Sequence, residues 1–328
     1  QSTDRAVINW DSFNVGLGAT VNFYQPATTS LTVNRVRNSS SSPSEILGTI
    51  NANGNIMILD KNGVIFGALS TINVNGIIAS TGDIVTSQIM SGNDVFDISG
   101  VTDKSIELKG RVNVKDGGLA AFVSPFVSNS GTITANLGRV SIAGAKKVTV
   151  DLYGDNLISI ATKDSVTDAL LENSGTINAN GGKVTMTVNT AKTLVDEVIN
   201  MSGVINANNV VAKNGKIVLD GGNGKVTVGA DETMSNISMW FNNVKGELNA
   251  NNGTIEITSN EVVLGYKTKA NASTVNIAAN DLIVYPRDKT MLFGWITTAD
   301  ATSIKATDIT ITRKTAGTIS LGTGTSGL

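Results

Sequence analysis

The chain has no cysteine and no histidine among its 328 residues. Without cysteine no disulfide can form, so no covalent bond cross-links the chain. Without histidine, Ser-His-Asp and Cys-His nucleophilic schemes are excluded, and so are most zinc sites. Charged residues make up 16% and aromatics 5%, against about a quarter charged in an ordinary soluble domain. The net charge of −2 leaves no electrostatic footprint for nucleic acid or an anionic membrane. No apolar run is long enough to span a bilayer as a helix. The opening Gln1-Ser-Thr-Asp-Arg5 lacks the basic and apolar regions of a signal peptide. The end, Gly322 to Leu328, reads as a cut within a longer polypeptide or a small flexible tail.

Asn, Thr, Ser and Gly take the place of charge, and one phrase recurs. Asn129-Ser-Gly-Thr-Ile-Thr-Ala-Asn136 leads into Arg139-Val-Ser-Ile142, and Asn173-Ser-Gly-Thr-Ile-Asn-Ala-Asn180 leads into Lys183-Val-Thr-Met186. Met201-Ser-Gly-Val-Ile-Asn-Ala-Asn208, Gly246-Glu-Leu-Asn-Ala-Asn251 and Gly48-Thr-Ile-Asn-Ala-Asn53 are further copies, and Thr71-Ile-Asn-Val-Asn-Gly-Ile77 is a looser one. Each copy holds two short runs of alternating apolar and polar residues, the mark of half-buried strands, separated by Gly and Asn turn residues. Helical periodicity is absent over any useful length; the nearest stretch, Asp164 to Asn173, is too short. The copy spacing fits coils of roughly 20 residues with occasional insertions. The chain therefore reads as all-β: a right-handed parallel β-helix, a single-stranded solenoid with an N-terminal cap and extra-helical β-hairpins. A propeller would need an aromatic signature in every blade, and none recurs. Stacked coils also suit asparagine, whose side chains form hydrogen-bonded ladders between identical rungs.

Several segments break the pattern. Arg37 to Ser44 is a polar loop, and Thr81 to Lys109 reads as a hairpin projecting from the solenoid. Asp231 to Lys245 carries Trp240 and Phe241, and Tyr285 to Asp300 carries Pro286, Phe293 and Trp295, aromatics that suit lids over a core edge. Val7 to Phe23, rich in bulky apolar residues, is the expected N-terminal cap over an otherwise open strand edge. No linker is visible, so the solenoid is read as continuous.

That opening carries a resemblance. Ala6-Val-Ile-Asn-Trp-Asp-Ser-Phe-Asn-Val-Gly16, Val21-Asn-Phe-Tyr-Gln-Pro26 and Leu31-Thr-Val-Asn-Arg-Val36 resemble the secretion domain of two-partner secretion exoproteins of the filamentous haemagglutinin type. The likeness runs on through Ile46 to Gly54, Asp60 to Gly67, Ile72 to Thr81, Gly117 to Pro125 and Asn129 to Val140. It covers about residues 5 to 160. One departure stands out: the family commonly has Asn-Pro-Asn-Gly where this chain has Asp60-Lys61-Asn62-Gly63. The turn-forming Asn-Gly pair is kept, and Asp60 can accept the local backbone hydrogen bond that Asn would.

The resemblance implies a two-partner secretion domain over 1–230, with 231–328 continuing the β-helix. It implies export through the periplasm to the cell surface, with an outer-membrane β-barrel transporter with POTRA domains as partner. A host-cell receptor or glycan would be met by the full-length protein, an adhesin, haemolysin or contact-dependent toxin. Asn34, Arg35, Asn51, Asn53, Gly54, Asp60, Asn62 and Gly63 are the expected transporter-recognition residues, within a segment from Val7 to Ser80 read while extended.

No catalytic residue, metal site or cofactor is expected. Asp94/Asp97 and Asp196/Glu197 are near-adjacent acids expected to be solvated rather than a glycosidase pair. The basic residues Arg35, Arg37, Lys146 and Lys147 are scattered over loops and turns. Asp220-Gly-Gly-Asn-Gly-Lys225 approaches a calcium-binding repeat but lacks its Asp, so a plain turn is expected. Asn-x-Ser/Thr triplets at Asn38, Asn200, Asn236, Asn252 and Asn271 are expected by chance in so Asn- and Thr-rich a chain. The rival readings are a carbohydrate-active β-helix enzyme and a structural fibre segment.

Overall fold

A computed structural model describes residues 1–37, 42–92, 94–152, 159–160, 166–189, 197–210, 213–229, 246–265, 268–284, 303–306, 308–313 and 319–321. The chain forms a parallel β-helix with three strands per coil. Each strand pairs in parallel with the strand one coil further on, so the strands stack into three faces. Face one runs from Thr20–Phe23 through Thr49–Ala52, Thr71–Val74 and Arg111–Val114 to Ser303–Lys305. Face two runs from Arg5–Trp10 through Leu31–Val36, Asn55–Leu59 and Gly76–Ser80 to Asp308–Arg313. Face three is a 10-stranded sheet from Ser44–Ile46 to Ile319–Leu321.

The repeat phrase maps onto this geometry residue by residue. Its isoleucines point inward and stack in register, Ile50 on Ile72, Val112, Ile133, Ile177 and Ile205, all buried. Its glycine sits at the corner between faces three and one. A Cβ on Gly131, Gly175 or Gly203 would stand 2.1–2.2 Å from the carbonyl of the glycine one coil earlier, so only glycine fits. The asparagine opening the phrase turns inward: Asn129 Nδ2 donates to Asn173 Oδ1 at 2.7 Å in the fully buried interior. The core is aliphatic, with the Phe66 and Phe122 rings meeting edge-on across it at 6.4 Å.

The expected N-terminal cap is itself the first coil. Arg5–Trp10 and Thr20–Phe23 are in register with the second coil. Trp10, Val21 and Phe23 close the end of the core together with buried Phe13.

The segment Thr81 to Lys109 corrects the expected projecting hairpin. It holds a five-residue helix, Thr86–Met90, and a strand, Val95–Ile98. That strand pairs antiparallel not with a near neighbour but with Val148–Asp151, which pairs in turn with Ser159–Ile160. Ser105–Leu108 is an ordinary rung of face three. The small sheet and helix lie flat on the outside of face two. Ile84, Ile89, Phe96, Ile98, Val148 and Val150 cover the outward side chains of Leu31, Val33, Met57, Leu59, Ile78 and Leu119. Face two is therefore buried on both sides over its early coils, and this explains the unbroken apolar runs Ile56-Met-Ile-Leu59 and Leu119-Ala-Ala-Phe-Val123. Beyond it the alternation returns in Lys216–Asp220.

Other readings resolve as follows. Asp94 is held by Arg5 at 2.6 Å and Asp97 accepts from Thr149 Oγ1 at 2.6 Å, so neither is simply solvated. Asp220 accepts from the Gly222 amide in a plain turn. Segments Asp231 to Lys245 and Tyr285 to Asp300, with Asp196, Asn38 and Asn236, lie outside the described residues.

Stacking like on like also brings cations together: Arg139, Lys183 and Lys216 are consecutive in one outward column of face two. Half-burial, then Lys216 and Arg139 on either side, hold the Lys183 ammonium below its ordinary pKa of 10.5, with Glu256 opposing. Between the lowered and ordinary values the unfolded chain binds more protons, so stability rises with pH through that window. Lys183→Met is expected to flatten this part of the profile, read as the denaturant midpoint against pH; an unchanged slope contradicts it. In the core, Ile133→Ala is expected to cost about 2–5 kcal/mol of unfolding free energy, measured by denaturant titration.

Candidate functional site

All eight expected recognition residues fall in the early coils, between positions 34 and 63. The structure gathers them into five local polar arrangements rather than one patch. At the open end of the core, Trp10 Nε1 donates to Asn34 Oδ1 at 3.1 Å, and Asn34 Nδ2 donates to the Met57 carbonyl at 3.3 Å. Asn34 is wholly buried. It satisfies the indole of the capping tryptophan and ties the first three coils.

Arg35 points the other way, beneath the extra-helical layer, and is 3% exposed. This corrects its expected place near a loop. Its Nε donates to Asp83 Oδ1 at 2.8 Å, Nη1 to Thr86 Oγ1 at 2.9 Å and Nη2 to the Ile84 carbonyl at 2.5 Å. Arg5 does the same one coil earlier. It bonds the carbonyls of Ile89 and Gly92 and the Asp94 carboxylate, with its guanidinium 5.6 Å from the Phe96 ring centre. Two arginines on adjacent rungs thus fasten the helix and small sheet to the first coils. A guanidinium fits because its five donors in a planar fork serve several acceptors at once.

Asn53 and Gly54 form the corner between faces one and two, around the buried side chain of Gln25. The Gln25 amide donates to Asn53 Oδ1 and Asn53 Nδ2 donates to the Gln25 carbonyl, both at 2.8 Å, so the side chain stands in for a strand partner. Gln25 Nε2 reaches the Ser30 and Asn55 carbonyls and Thr32 Oγ1, while its Oε1 accepts from the Gly54 amide. A Cβ at Gly54 would lie 2.7 Å from Gln25 Oε1 and from the Ser30 carbonyl.

Asp60, Asn62 and Gly63 make the corner leading into face three. Asp60 is 1% exposed, and its oxygens accept from the Asn62 amide at 2.9 Å and Ser44 Oγ at 2.7 Å. The turn survives the loss of the Asn-Pro pair because Asp60 supplies the same acceptor. Gly63 has φ of 106°, and a Cβ there would stand 2.6 Å from the Ser105 carbonyl, so the position admits glycine alone.

Asn51 is the exception, since it faces outward on face one. Its Nδ2 donates to Asn22 Oδ1 and its Oδ1 accepts from Asn73, each at 2.9 Å. The sequence reading missed Gln25, Arg5 and Asp83; the unbroken apolar runs of face two were the available sign that something covers it.

Two strand edges stay open at this end. Among the described residues Arg5–Trp10 pairs with Leu31–Val36 alone and Thr20–Phe23 with Thr49–Ala52 alone, and an unpaired edge is a template for an added strand. No group of three acidic residues among those described is close enough to hold a metal ion, and no described helix is long and apolar enough to cross a membrane.

Comparison with known proteins agrees with this architecture. The family model for the TPS secretion domain matches residues 1–234. Two heme/hemopexin-binding proteins of Haemophilus influenzae are similar. One is 29% identical over 227 residues, covering 67% of this chain and 24% of the relative. The other is 28% identical over 269 residues, covering 71% and 28%. The chain thus spans about a quarter of the length of these relatives. The crystal structure of the HMW1 secretion domain from Haemophilus influenzae superposes with a TM-score of 0.64 at 24% identity, over 96% of this chain and 81% of that one.

Removing one member of the Arg35–Asp83 pair leaves a desolvated partner. With Asp83 about a third exposed, Asp83→Ala is expected to cost about 3 kcal/mol. It should also raise amide hydrogen exchange in Thr86–Ile98 before exchange in the coils rises. Uniform exchange throughout would show that the clamp does not hold the layer.

Proposed function

Because its first 234 residues match the family model, the chain belongs to the TPS secretion domain family, and from that membership we propose how it is recognised and how it moves. The chain is a secretion and targeting domain of a two-partner secreted exoprotein, which leaves the cell through the periplasm. In our reading its partner is an outer-membrane β-barrel transporter whose periplasmic POTRA domains engage the segment from Val7 to Ser80 while it is extended.

One observation carries this reading: in the folded coil nearly every recognition residue is already bonded internally. Asn34, Arg35, Asn53, Gly54, Asp60 and Gly63 give their polar groups, or their freedom from a side chain, to holding neighbouring coils. A partner that reads them must do so before the coils close. Extended, alternating, weakly charged segments are suited to adding a strand to an exposed sheet edge. Once outside, each coil needs only its predecessor to fold against. The first coils carry the densest set of locks and therefore form the nucleus. Folding outside the pore then withdraws the recognition segment from the transporter and biases movement outward without nucleotide hydrolysis.

The passenger's own activity belongs to the remainder of the exoprotein. Contact with a host receptor or host protein, in the manner of an adhesin or a heme/hemopexin-binding relative, is assigned there. With neither histidine nor cysteine, this chain offers haem iron no imidazole and no thiolate.

The test is co-expression with the cognate transporter and measurement of protein released to the medium. Asn51→Ala and Asn62→Ala remove side chains on which no core packing depends. They are expected to lower export while the purified variants refold, Asn62→Ala with stability within about 0.5 kcal/mol of the parent and Asn51→Ala, which loses two ladder hydrogen bonds, about 1–3 kcal/mol below it. Gly63→Ala adds backbone strain of order 1–3 kcal/mol and should lower export and refolding together. Unchanged export in all three, or equal release without the transporter, overturns the reading.

A further inference from the structure

The outward asparagine column of face one continues past Asn51. From Asn22 through Asn51 and Asn73 to Asn113 the carboxamides join head to tail, each Nδ2 donating to the Oδ1 one coil earlier at 2.9 Å. Thr134 breaks the column in register, and a second run follows from Asn178 through Asn206 and Asn249 to Asn271. The first run borders a groove of about 560 Å³, a volume within the range of small-ligand sites.

The chemistry of its walls is specific. The floor is the backbone of face one, where Ala52, Val74 and Val114 turn their side chains into the core, with the half-buried Phe23 at its N-terminal end. One wall is the carboxamide ladder. Each interior amide gives one N–H and one lone pair to its neighbours and keeps one of each for a ligand. The opposite wall is Tyr24, Asn53 and Lys115. Tyr24 is 78% exposed, a large ring that contributes nothing to the core. Lys115 is the single charged residue among those lining the groove, so neither an anion nor a cation finds a compensating cluster. An exposed aromatic ring beside a row of neutral groups that both donate and accept matches a pyranose, which has C–H faces and a rim of hydroxyls. The four rungs, spaced ~4.8 Å, extend ~14 Å and hold about three rings.

We propose that this groove binds a neutral, extended oligosaccharide, with one ring stacked on Tyr24 and hydroxyls along Asn51, Asn73 and Asn113. The site belongs to the folded coils, so it acts after export. It places a saccharide contact within the secretion domain rather than in the remainder of the exoprotein.

The test is calorimetric and NMR titration of the purified folded chain with maltotetraose, cellotetraose and chitotetraose, and with a sulfated tetrasaccharide. Saturable binding of at least one neutral probe is expected, with the sulfated one weaker. Tyr24→Ala and Asn73→Ala are expected to weaken it by about tenfold. Asn206→Ala, in the second run, should leave it unchanged, and circular dichroism of each variant reports folding separately. The proposal is overturned by no saturable binding to any neutral probe. It is equally overturned by preference for the sulfated sugar, by full binding in folded Tyr24→Ala, or by an equal loss in Asn206→Ala. Export through the transporter is a separate measurement, so failure here leaves the secretion reading intact.

Discussion

In-register parallel pairing between successive coils governs this molecule. Once a strand bonds to its copy one coil later, each side chain must lie on the side chain at the same position of the next rung. Columns of one residue type follow. Isoleucine on isoleucine excludes water along the interior. Glycine on glycine lets backbone approach backbone at the corner, where any Cβ would collide with a carbonyl. Asparagine on asparagine closes a chain of amide hydrogen bonds that a charged side chain could not form. Where three cations stack, at Arg139, Lys183 and Lys216, burial first and then the neighbouring charges hold the Lys183 ammonium below its ordinary pKa.

The early coils add a second constraint. An open solenoid end leaves unpaired strand edges and an uncovered core, and this chain covers the core but not the edges. Trp10 and Phe13, 5.4 Å apart, lie over the core, with Asn34 supplying the hydrogen bond that lets an indole be buried there. The helix and small antiparallel sheet cover the outside of face two, held by Arg5 and Arg35. The strand edges of the first coil stay open. Among the described residues, side-chain contacts that skip beyond the neighbouring coil lie at the N-terminal end: Arg35 reaches Asp83 and Asp97 meets Thr149. The later coils are bound mainly to their immediate neighbours.

This difference explains what could be read from the sequence. The repeat phrase stated the fold because a stacked coil is a local pattern copied along the chain, and its Ile, Gly and Asn each have one place in the coil. The turn at Asp60 was legible for the same reason. The fate of Thr81 to Lys109 was not, because its strand pairs with Val148–Asp151 far along the chain and alternation alone names no partner. Arg35 looked like a loop residue because nothing adjacent to it announces the layer that buries it. Most of the residues matched to the family motif turned out to be bonded within the folded coils. A motif shared for building the first coils and one shared for being recognised look alike in a sequence.

The two roles need not compete. A residue such as Asn53 has its amide groups free when the chain is extended and fully used when the corner closes around Gln25. Whatever binds those groups in the extended chain loses them on folding, by the same hydrogen bonds that stabilise the coil. In the proposed reading, recognition and release depend on one set of atoms in two exclusive states, and no separate switch is required. The same exclusivity sets the direction. The first coils hold the arginine clamps, the buried Asp60 and the tryptophan lid, so they return least readily to the extended form. A chain that has folded its first coils outside has little access to the state that a periplasmic partner could hold.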